Sequence, residues 1–549
     1  MSTNIAALVT DNLDIWTTAI ERKPGVGRGN GKKLNLYGIE RLRALILYLA
    51  VRGKLVPQNA ADEPAAISLK RLGVRTVESN DLTLNAGWAQ AKLSDLGSFV
   101  GGMTPSKGVA RYWGAGHPWI SPKDMGDDQL AESEDQVTEA ALRETSLQMV
   151  PAGSLVMVAR SGILRRTFPV AINTMPCTLN QDMKALILHP EVNARYLQVM
   201  LQGFQPRVLS QLVKRGMTVE SLIFKEFTEA LWPLPPLAEQ LRIVVKVDEL
   251  MALCDALEER SASALTAHQT LVETVLATLV NGADATDFAT NWARLESHFD
   301  TLFTTEASID ALKQTIFELA VRGMLVRQRA DEKPLQRPNA KWGNPVAAPF
   351  PIPLNWQCLP LGALGELRGG GTPSKTRSDY WDGLLPWVSP KDMKQDYLSD
   401  AQLHVSESAL TSSAIKLIPA SSILFVVRGM ILAHSFPVGI AKADLTINQD
   451  MKAIILHVPA MNEYLLRALK GLKREMLMRV ERSSHGTCRL DSKNYARLPV
   501  PIPPLAEQHR IVAKVDELTA LCDKLKASLF DVAGTQKQIA DAIVKRAAA

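Results

Sequence analysis

No apolar run in this sequence reaches membrane-spanning length. The longest near the start, Leu45 to Val51, falls far short of the ~20 residues a bilayer helix needs. The opening, MSTNIAALVTDNLDIW, has no basic leader and no cleavage-site pattern, so a cytoplasmic protein is expected. Cysteine is scarce: Cys177, Cys254, Cys358, Cys488 and Cys522 include no CxxC pair, and an odd count speaks against a disulfide framework. Charge of one sign is also lacking, with a net charge of only +5. Residues 88–236 hold 14 Lys/Arg against 14 Asp/Glu and residues 356–504 hold 18 against 13, so the second block accounts for the whole excess. Such an excess does not establish nucleic-acid binding, which depends on clustering on one face.

Catalytic signatures are missing too. The basic, glycine-rich stretch PGVGRGNGKK, Pro24 to Lys33, lacks the spaced first glycine and the Ser/Thr of a P-loop, does not fit GxGxxG, and reads as a flexible loop. HExxH and GxSxG do not occur. His434 and His485 stand alone, and a lone histidine is far more often structural than a ligand. Asp491-Ser-Lys493 is half of a nuclease-like DxK, without a partner acid and without a counterpart in the first half of the chain. A non-catalytic chain with no metal site is expected.

What is present is duplication. PLPPLAEQ, Pro233 to Gln240, returns as PIPPLAEQ, Pro501 to Gln508, a step of 268. RIVVKVDEL from Arg242 returns as RIVAKVDEL from Arg510. GGMTPSK (Gly101 to Lys107), PWISPKDM (Pro118 to Met125), SLVMVAR (Ser154 to Arg160) and NQDMKA (Asn180 to Ala185) all recur at the same step. AVRGKLV, Ala50 to Val56, recurs as AVRGMLV from Ala320 at a step of 270, so the slack falls in linkers.

Length favours three or four compact units. The repeats divide the chain into an N-terminal helical region (1–56), a linker (57–87), a first globular block (88–236), a central helical region (237–326), a second linker (327–355), a second block (356–504) and a C-terminal helix (505–549). Residues 5–21 read as one helix. Ile39, Leu42, Ile46 and Leu49 mark an amphipathic helix capped near Gly53, repeated by Ile309, Leu312, Ile316 and Leu319. Both linkers read as surface connections. In the globular blocks the apolar runs 154–159, 184–188, 422–427 and 452–456 read as buried strands, giving mixed α/β domains. Ile243, Val247, Leu250, Cys254, Leu257, Ala264, Leu271 and Val275 form a coiled-coil seam, as do Ile511, Val515, Leu518, Cys522, Leu525, Leu529, Val532, Ile539 and Ile543. His268 and Gln536 fall on the seam at equivalent places. A helix from about 238 to 280 would be roughly 60 Å long and needs partner helices, for which 36–52 and 306–322 are candidates. The expected fold is α/β plus α: two mixed α/β domains separated by long antiparallel coiled-coil helices, with an internal pseudo-twofold.

Two similar domains on stiff helices suit a partner with two similar parts, and bipartite DNA is one such partner. Candidate contacts in the first block are Thr104, Ser106, Lys107, Arg111, Lys123, Arg160, Arg165, Lys214 and Arg215. In the second they are Thr372, Ser374, Lys375, Arg377, Lys391, Arg428, Arg482 and His485. Lys and Arg hold phosphates or read guanine edges. Arg160 and Arg428 rank first, because each follows an apolar strand that gives a rigid base. The GGxTPS glycines can approach a phosphate closely, or can serve simply as tight turns. A stand-alone bipartite-site DNA-binding protein and a scaffold without DNA contact are the competing readings.

PLPPLAEQ with its following helix, AVRGKLV at a helix end, and GGxTPSK with PWxSPKDM resemble the specificity subunit of type I restriction-modification enzymes over nearly the whole chain. NLDIWTTAI from Asn12 and RGKLVPQ from Arg52 are similar to the subgroup with an extended N-terminal helical region. The resemblance implies that the globular blocks are target recognition domains, each reading half of a bipartite site. It implies helices that set the spacer and hold two modification subunits, which bind S-adenosylmethionine and methylate adenine. Two restriction subunits would translocate and cut DNA using ATP and magnesium, and this chain would bind no cofactor itself. The two blocks diverge at KRGMTVESLIF (Lys214 to Phe224) against RSSHGTCRLDS (Arg482 to Ser492). These segments are expected to read the bases that differ between half-sites. An exchange of 203–230 with 471–498 that left the target unchanged would reject this.

Overall fold

The computed structural model describes residues 5–23, 33–74, 84–190, 192–216, 219–282, 285–336, 342, 344–482 and 486–548. The chain forms two compact units, Met1–Ala264 with Val532–Ala549, and Leu265–Asp531.

The first unit is built on a five-stranded sheet whose order is Gly97–Gly101, Met183–Leu188, Leu155–Val158, Val170–Asn173, Gln129–Leu130. Neighbours are antiparallel except the last pair. Leu155, Val156, Met157 and Val158 are all fully buried. The strand is therefore covered on both faces and reads as a continuous apolar run, not an alternating one. Beside this sheet lies a three-stranded one of Thr178–Leu179, Trp113–Ile120 and Asp135–Val137. The second unit repeats both sheets. Its larger sheet runs Gly365–Gly369, Met451–Leu456, Ile423–Val426, Val438–Ala441, Tyr397–Leu398, and its smaller one Leu403–Val405, Leu385–Val388, Thr446–Ile447. The expected strands 154–159, 184–188, 422–427 and 452–456 are all present.

The repeated PLPPLAEQ is a joint. Leu231–Leu234 pairs antiparallel with Ala89–Lys92, tying the two ends of the block together, and Trp232 between them is fully buried. Pro233 and Pro235 sit in and after a strand with no further ladder to donate to, where proline is tolerated. The Pro236 carbonyl then accepts from Gln240 N at 2.9 Å, and the first long helix, Leu237–Val280, begins. Glu239, 1% exposed, accepts from Trp88 Nε1 at 3.1 Å, and Gln240 Nε2 donates to the Pro235 carbonyl at 2.9 Å. In the second unit Glu507 accepts from Trp356 Nε1 at 3.1 Å and Gln508 Nε2 donates to the Pro503 carbonyl at 2.9 Å. These contacts lock each α/β domain to the start of its long helix.

A second lock involves the anchor helices, Tyr37–Ala50 and Glu306–Val321. A Cβ on Gly203 would lie 2.5 Å from Val51 Cγ1, and one on Gly471 would lie 2.3 Å from the Phe317 carbonyl oxygen. Only glycine lets the helices Ala194–Gly203 and Asn462–Gly471 come this close. Each anchor helix ends in a left-handed glycine, Gly53 (φ +63°) and Gly323 (φ +74°), as the sequence suggested. In the second unit Lys313 pairs with Asp523 and Lys526 with Asp310, both at 2.8 Å. Rising numbers on one helix match falling numbers on the other, so the anchor helix and the second long helix, Leu505–Ala548, are antiparallel.

Four expectations are corrected. The seam of the first long helix holds through Ile243, Val247, Leu250, Cys254 and Leu257, all buried, but Leu271 is 54% exposed and Val272, Leu276 and Leu279 are buried instead. The second long helix does the same: Val532 and Ile539 are exposed and Ala540 is buried. An α-helix drifts about 20° per heptad from a 3.5-residue repeat, and the change of seam falls where each long helix passes from one unit to the other. The single helix expected over 5–21 is two short helices, Ile5–Asp11 and Leu13–Thr18, followed by a strand, Glu21–Lys23, paired with Lys33–Asn35. The glycine-rich residues 24–32 lie outside the described residues. The linkers are not purely surface connections: Ala65–Arg71 is a helix burying Ala65 and Leu69, and Trp342 is 1% exposed. A further helix, Ala285–Ser297, was not anticipated, although Phe288, Trp292 and Leu295 follow the i, i+4, i+7 spacing of an amphipathic helix.

Candidate nucleic-acid interface

The NQDMKA turn draws the candidate residues together. In the first unit it joins Thr178–Leu179 to the strand Met183–Leu188. Asp182 N donates to its own turn's Asn180 Oδ1 at 2.7 Å, fixing the turn. Ala159 N and Arg160 N both donate to the Asp182 carbonyl, at 2.8 and 3.1 Å, pinning the end of strand Leu155–Val158. Arg160 Nε then donates to Asp182 Oδ1 at 2.7 Å. From the other side the GGMTPSK loop crosses the turn: a Cβ on Gly102 would sit 2.0 Å from the Asn180 carbonyl oxygen. Glycine here serves contact between two backbones. Thr104 Oγ1 donates to Gln181 Oε1. Thr104, Gln181, Asp182 and Arg160 thus form one cluster.

The second unit repeats it. Val427 N and Arg428 N donate to the Asp450 carbonyl at 2.8 and 3.2 Å, Asp450 N donates to Asn448 Oδ1 at 3.1 Å, and Thr372 Oγ1 donates to Gln449 Oε1. Arg428 Nη1 lies 3.9 Å from Asp450 Oδ1, a looser pair than Arg160 makes. A Cβ on Gly370 would lie 2.1 Å from the Asn448 carbonyl oxygen.

The divergent segments form a hairpin in both units, Val213–Lys214 with Ser221–Leu222 and Glu481–Arg482 with Cys488–Arg489. Each hairpin is stitched beside the ranked arginine, through bridges Arg160↔Ser221 and Arg428↔Arg489. Different sequences therefore occupy the same place. Arg165 Nε donates to Glu220 Oε1, whose side chain is 3% exposed, so the first hairpin also holds a basic residue of the 3₁₀ turn Gly162–Arg165. The matching turn of the second unit, Met430–Ala433, is followed by His434 and has no arginine.

The remaining candidates separate by charge balance. Arg111 is paired with Glu144 at 2.6 Å and Arg377 with Asp379 at 2.6 Å. Lys123 bridges Glu134 and Asp135 at 2.7 and 3.1 Å, and the hydrogen bond to Glu134, then that to Asp135, raises its pKa. The Asp379 carboxylate raises that of Arg377 in the same way. Lys107, Lys214, Arg215, Lys375, Lys391 and Arg482 are exposed and form no ion pair among the described residues. Ser106 and Ser374 turn their carbonyls to Trp113 Nε1 and Trp381 Nε1, at 3.3 and 3.1 Å, holding the TPSK loops against the smaller sheets. His485 lies outside the described residues.

Sequence reasoning missed Gln181, Asp182, Gln449 and Asp450. Their signal was available: an identical polar triplet directly ahead of a buried strand in both copies, just before the copies diverge. No group of three or more His, Cys, Asp or Glu among the described residues is arranged to hold a metal. No helix among them is long and apolar enough to cross a membrane.

A family model described as "Type I restriction modification DNA specificity domain" matches residues 85–267 and again 353–530. The chain is 27% identical over 612 residues to the type I restriction enzyme EcoEI specificity subunit of Escherichia coli, covering 99% of each. It is 28% identical over 610 residues to the EcoAI specificity subunit of the same organism, covering 99% of this chain and 100% of that one. To the Escherichia coli EcoR124I/EcoR124II specificity subunit it is 35% identical over 177 residues, 32% of this chain and 43% of the relative.

Proposed function

Because the chain belongs to the family of type I restriction-modification DNA specificity subunits, we propose that its two α/β domains each read one half of a bipartite DNA target. The observation that carries this reading is the duplicated cluster: the same four residues, Thr, Gln, Asp and Arg, with the Arg–Asp pair closer in the first unit, stand beside a sequence-divergent hairpin in both units. One constant and one variable element per domain is what two related but different half-sites require.

The long helices set the spacer between half-sites and dock two modification and two restriction subunits. Exposed apolar residues on the first long helix support docking. Leu237, Leu241 and Val245 recur every four residues, with Leu253 beyond, and they stand apart from the buried seam. S-adenosylmethionine, ATP and magnesium belong to those partner subunits, which supply methyl transfer, translocation and cleavage. This chain supplies the address. Its residues orient the duplex: exposed Lys and Arg hold phosphates and set register, while the cluster and hairpin meet base edges.

Methylation-sensitive sequencing of DNA from cells carrying this chain with its partner subunits tests the reading. The expected result is one motif of two short specific parts around an unspecified gap, lost when this chain is deleted. A motif unaffected by the deletion would reject it.

A further inference from the structure

The two recognition domains divide into a part that is constant and a part that is not. Resting on the half-site reading above, that division says which residues read what the half-sites share. The variable part is the hairpin and the turn before it, where Arg165 and Arg166 stand opposite Ala433 and His434. The constant part is the cluster on the NQD turn.

The chemistry of the constant part is specific. With Nε committed to Asp182, Arg160 has Nη1 and Nη2 left as two parallel donors, and the side chain is 56% exposed. Two parallel N–H donors match N7 and O6 of guanine in the major groove. A carboxylate behind the guanidinium holds the fork in one orientation. Beside it, Gln181 Oε1 is taken by Thr104, which leaves its Nε2 hydrogens for a further acceptor.

We propose that Thr104–Gln181–Asp182–Arg160 and Thr372–Gln449–Asp450–Arg428 are one base-reading unit used twice. Arg160 and Arg428 each read a guanine at the equivalent position of their half-sites, and Gln181 and Gln449 contact the neighbouring base pair. Asp182 is a positioning residue that acts through Arg160; Asp450, whose Oδ1 lies 3.9 Å from Arg428 Nη1, orients its arginine by charge without a hydrogen bond.

The test uses the full chain assembled with its modification subunits, on a DNA library randomised across both half-sites. Methylated products are sequenced. The wild-type complex is expected to require a G·C pair at an equivalent position in each half-site. In Asp182→Ala the guanine preference of one half-site falls about tenfold, within the range for one bidentate contact. The other half-site, subunit assembly and binding to non-specific DNA stay unchanged. Asp450→Ala lowers the guanine preference of the other half-site alone, and by less, because its pair with Arg428 is looser. Asp182→Asn keeps an acceptor for Nε and restores most of the preference. Arg160→Lys does not restore it, because an ammonium cannot present a planar fork. Gln181→Ala, a truncation on the surface that leaves the turn intact, relaxes only the neighbouring pair. A wild-type motif without a shared guanine overturns the proposal, as does an unchanged profile in Asp182→Ala and Gln181→Ala. A loss spread evenly over all sequences, with a reduced salt slope, also overturns it, since that is the mark of a phosphate contact. A wild-type complex with no bipartite preference at all would defeat the half-site reading itself. A bipartite motif insensitive to these variants defeats only the shared reader.

Discussion

Glu239 and Glu507 are the least expected residues in the joint, carboxylates almost withdrawn from water in the most strongly repeated segment of the chain. Burial is the largest effect on each and raises both pKa values above the usual carboxylate range. The hydrogen bonds from Trp88 and Trp356 pull the other way. A carboxyl whose folded pKa is raised favours the fold when protonated. The wild-type protein therefore gains stability as pH falls through the folded pKa toward the unfolded value, and loses it as pH rises. Glu239→Gln keeps an acceptor for Trp88 without the charge. It is expected to melt higher than wild type at neutral pH, with the difference vanishing on acidification, as thermal unfolding across pH would record. Trp88→Phe keeps an aromatic side chain but removes the Nε1 donor to the buried carboxylate, and a loss of about 1–3 kcal/mol is expected in denaturant unfolding. At this scale the sequence was partly legible. Arg160 and Thr104 stood out by position, at a strand end and in a glycine-flanked loop. Asp182 and Gln181 did not, because their part depends on a turn that meets three separate segments, and no local period records that.

Among the elements, the long helices teach most. Their first halves were readable because Ile243, Val247, Leu250, Cys254 and Leu257 keep one spacing over four turns. The second halves were misread because Leu271 and Ile539 continue that spacing, while the buried stripe moves one residue over to Val272 and Ala540. A single seam needs one supercoiled partner throughout, whereas each long helix here packs into two units in turn. Leu276→Ala should cost about 2–5 kcal/mol, and Leu271→Ala less than about 0.5 kcal/mol, in urea unfolding of the same chain. Equal costs would restore the simple seam. The buried strands were legible for a different reason: four or five consecutive apolar residues between turn signals leave few alternatives. The N-terminal hairpin and the helix Ala285–Ser297 were not, since neither is shared by both copies, and the hairpin carries no clean apolar period.

For the whole molecule, the repeat at 268 residues made the two-domain plan readable in the sequence. Each unit takes its recognition domain, its anchor helix, the start of one long helix and the end of the other. The exposed apolar side chains Leu241 and Val245 belong to what such an assembly offers to others. Leu241→Glu with Val245→Glu is expected to leave thermal stability within about 0.5 kcal/mol. It should weaken capture of the modification subunits by on the order of 2 kcal/mol, read by titration calorimetry. The blocks 88–236 and 356–504 are equal in length and enter and leave through the same Trp–Glu and Gly–helix joints. The measurement that bears most directly on the account is therefore a methylation map from cells whose chain carries residues 356–504 in place of 88–236. Two independent readers on repeated joints predict a motif with the second half-site present twice and the gap preserved. A motif that keeps the original first half-site would contradict the account.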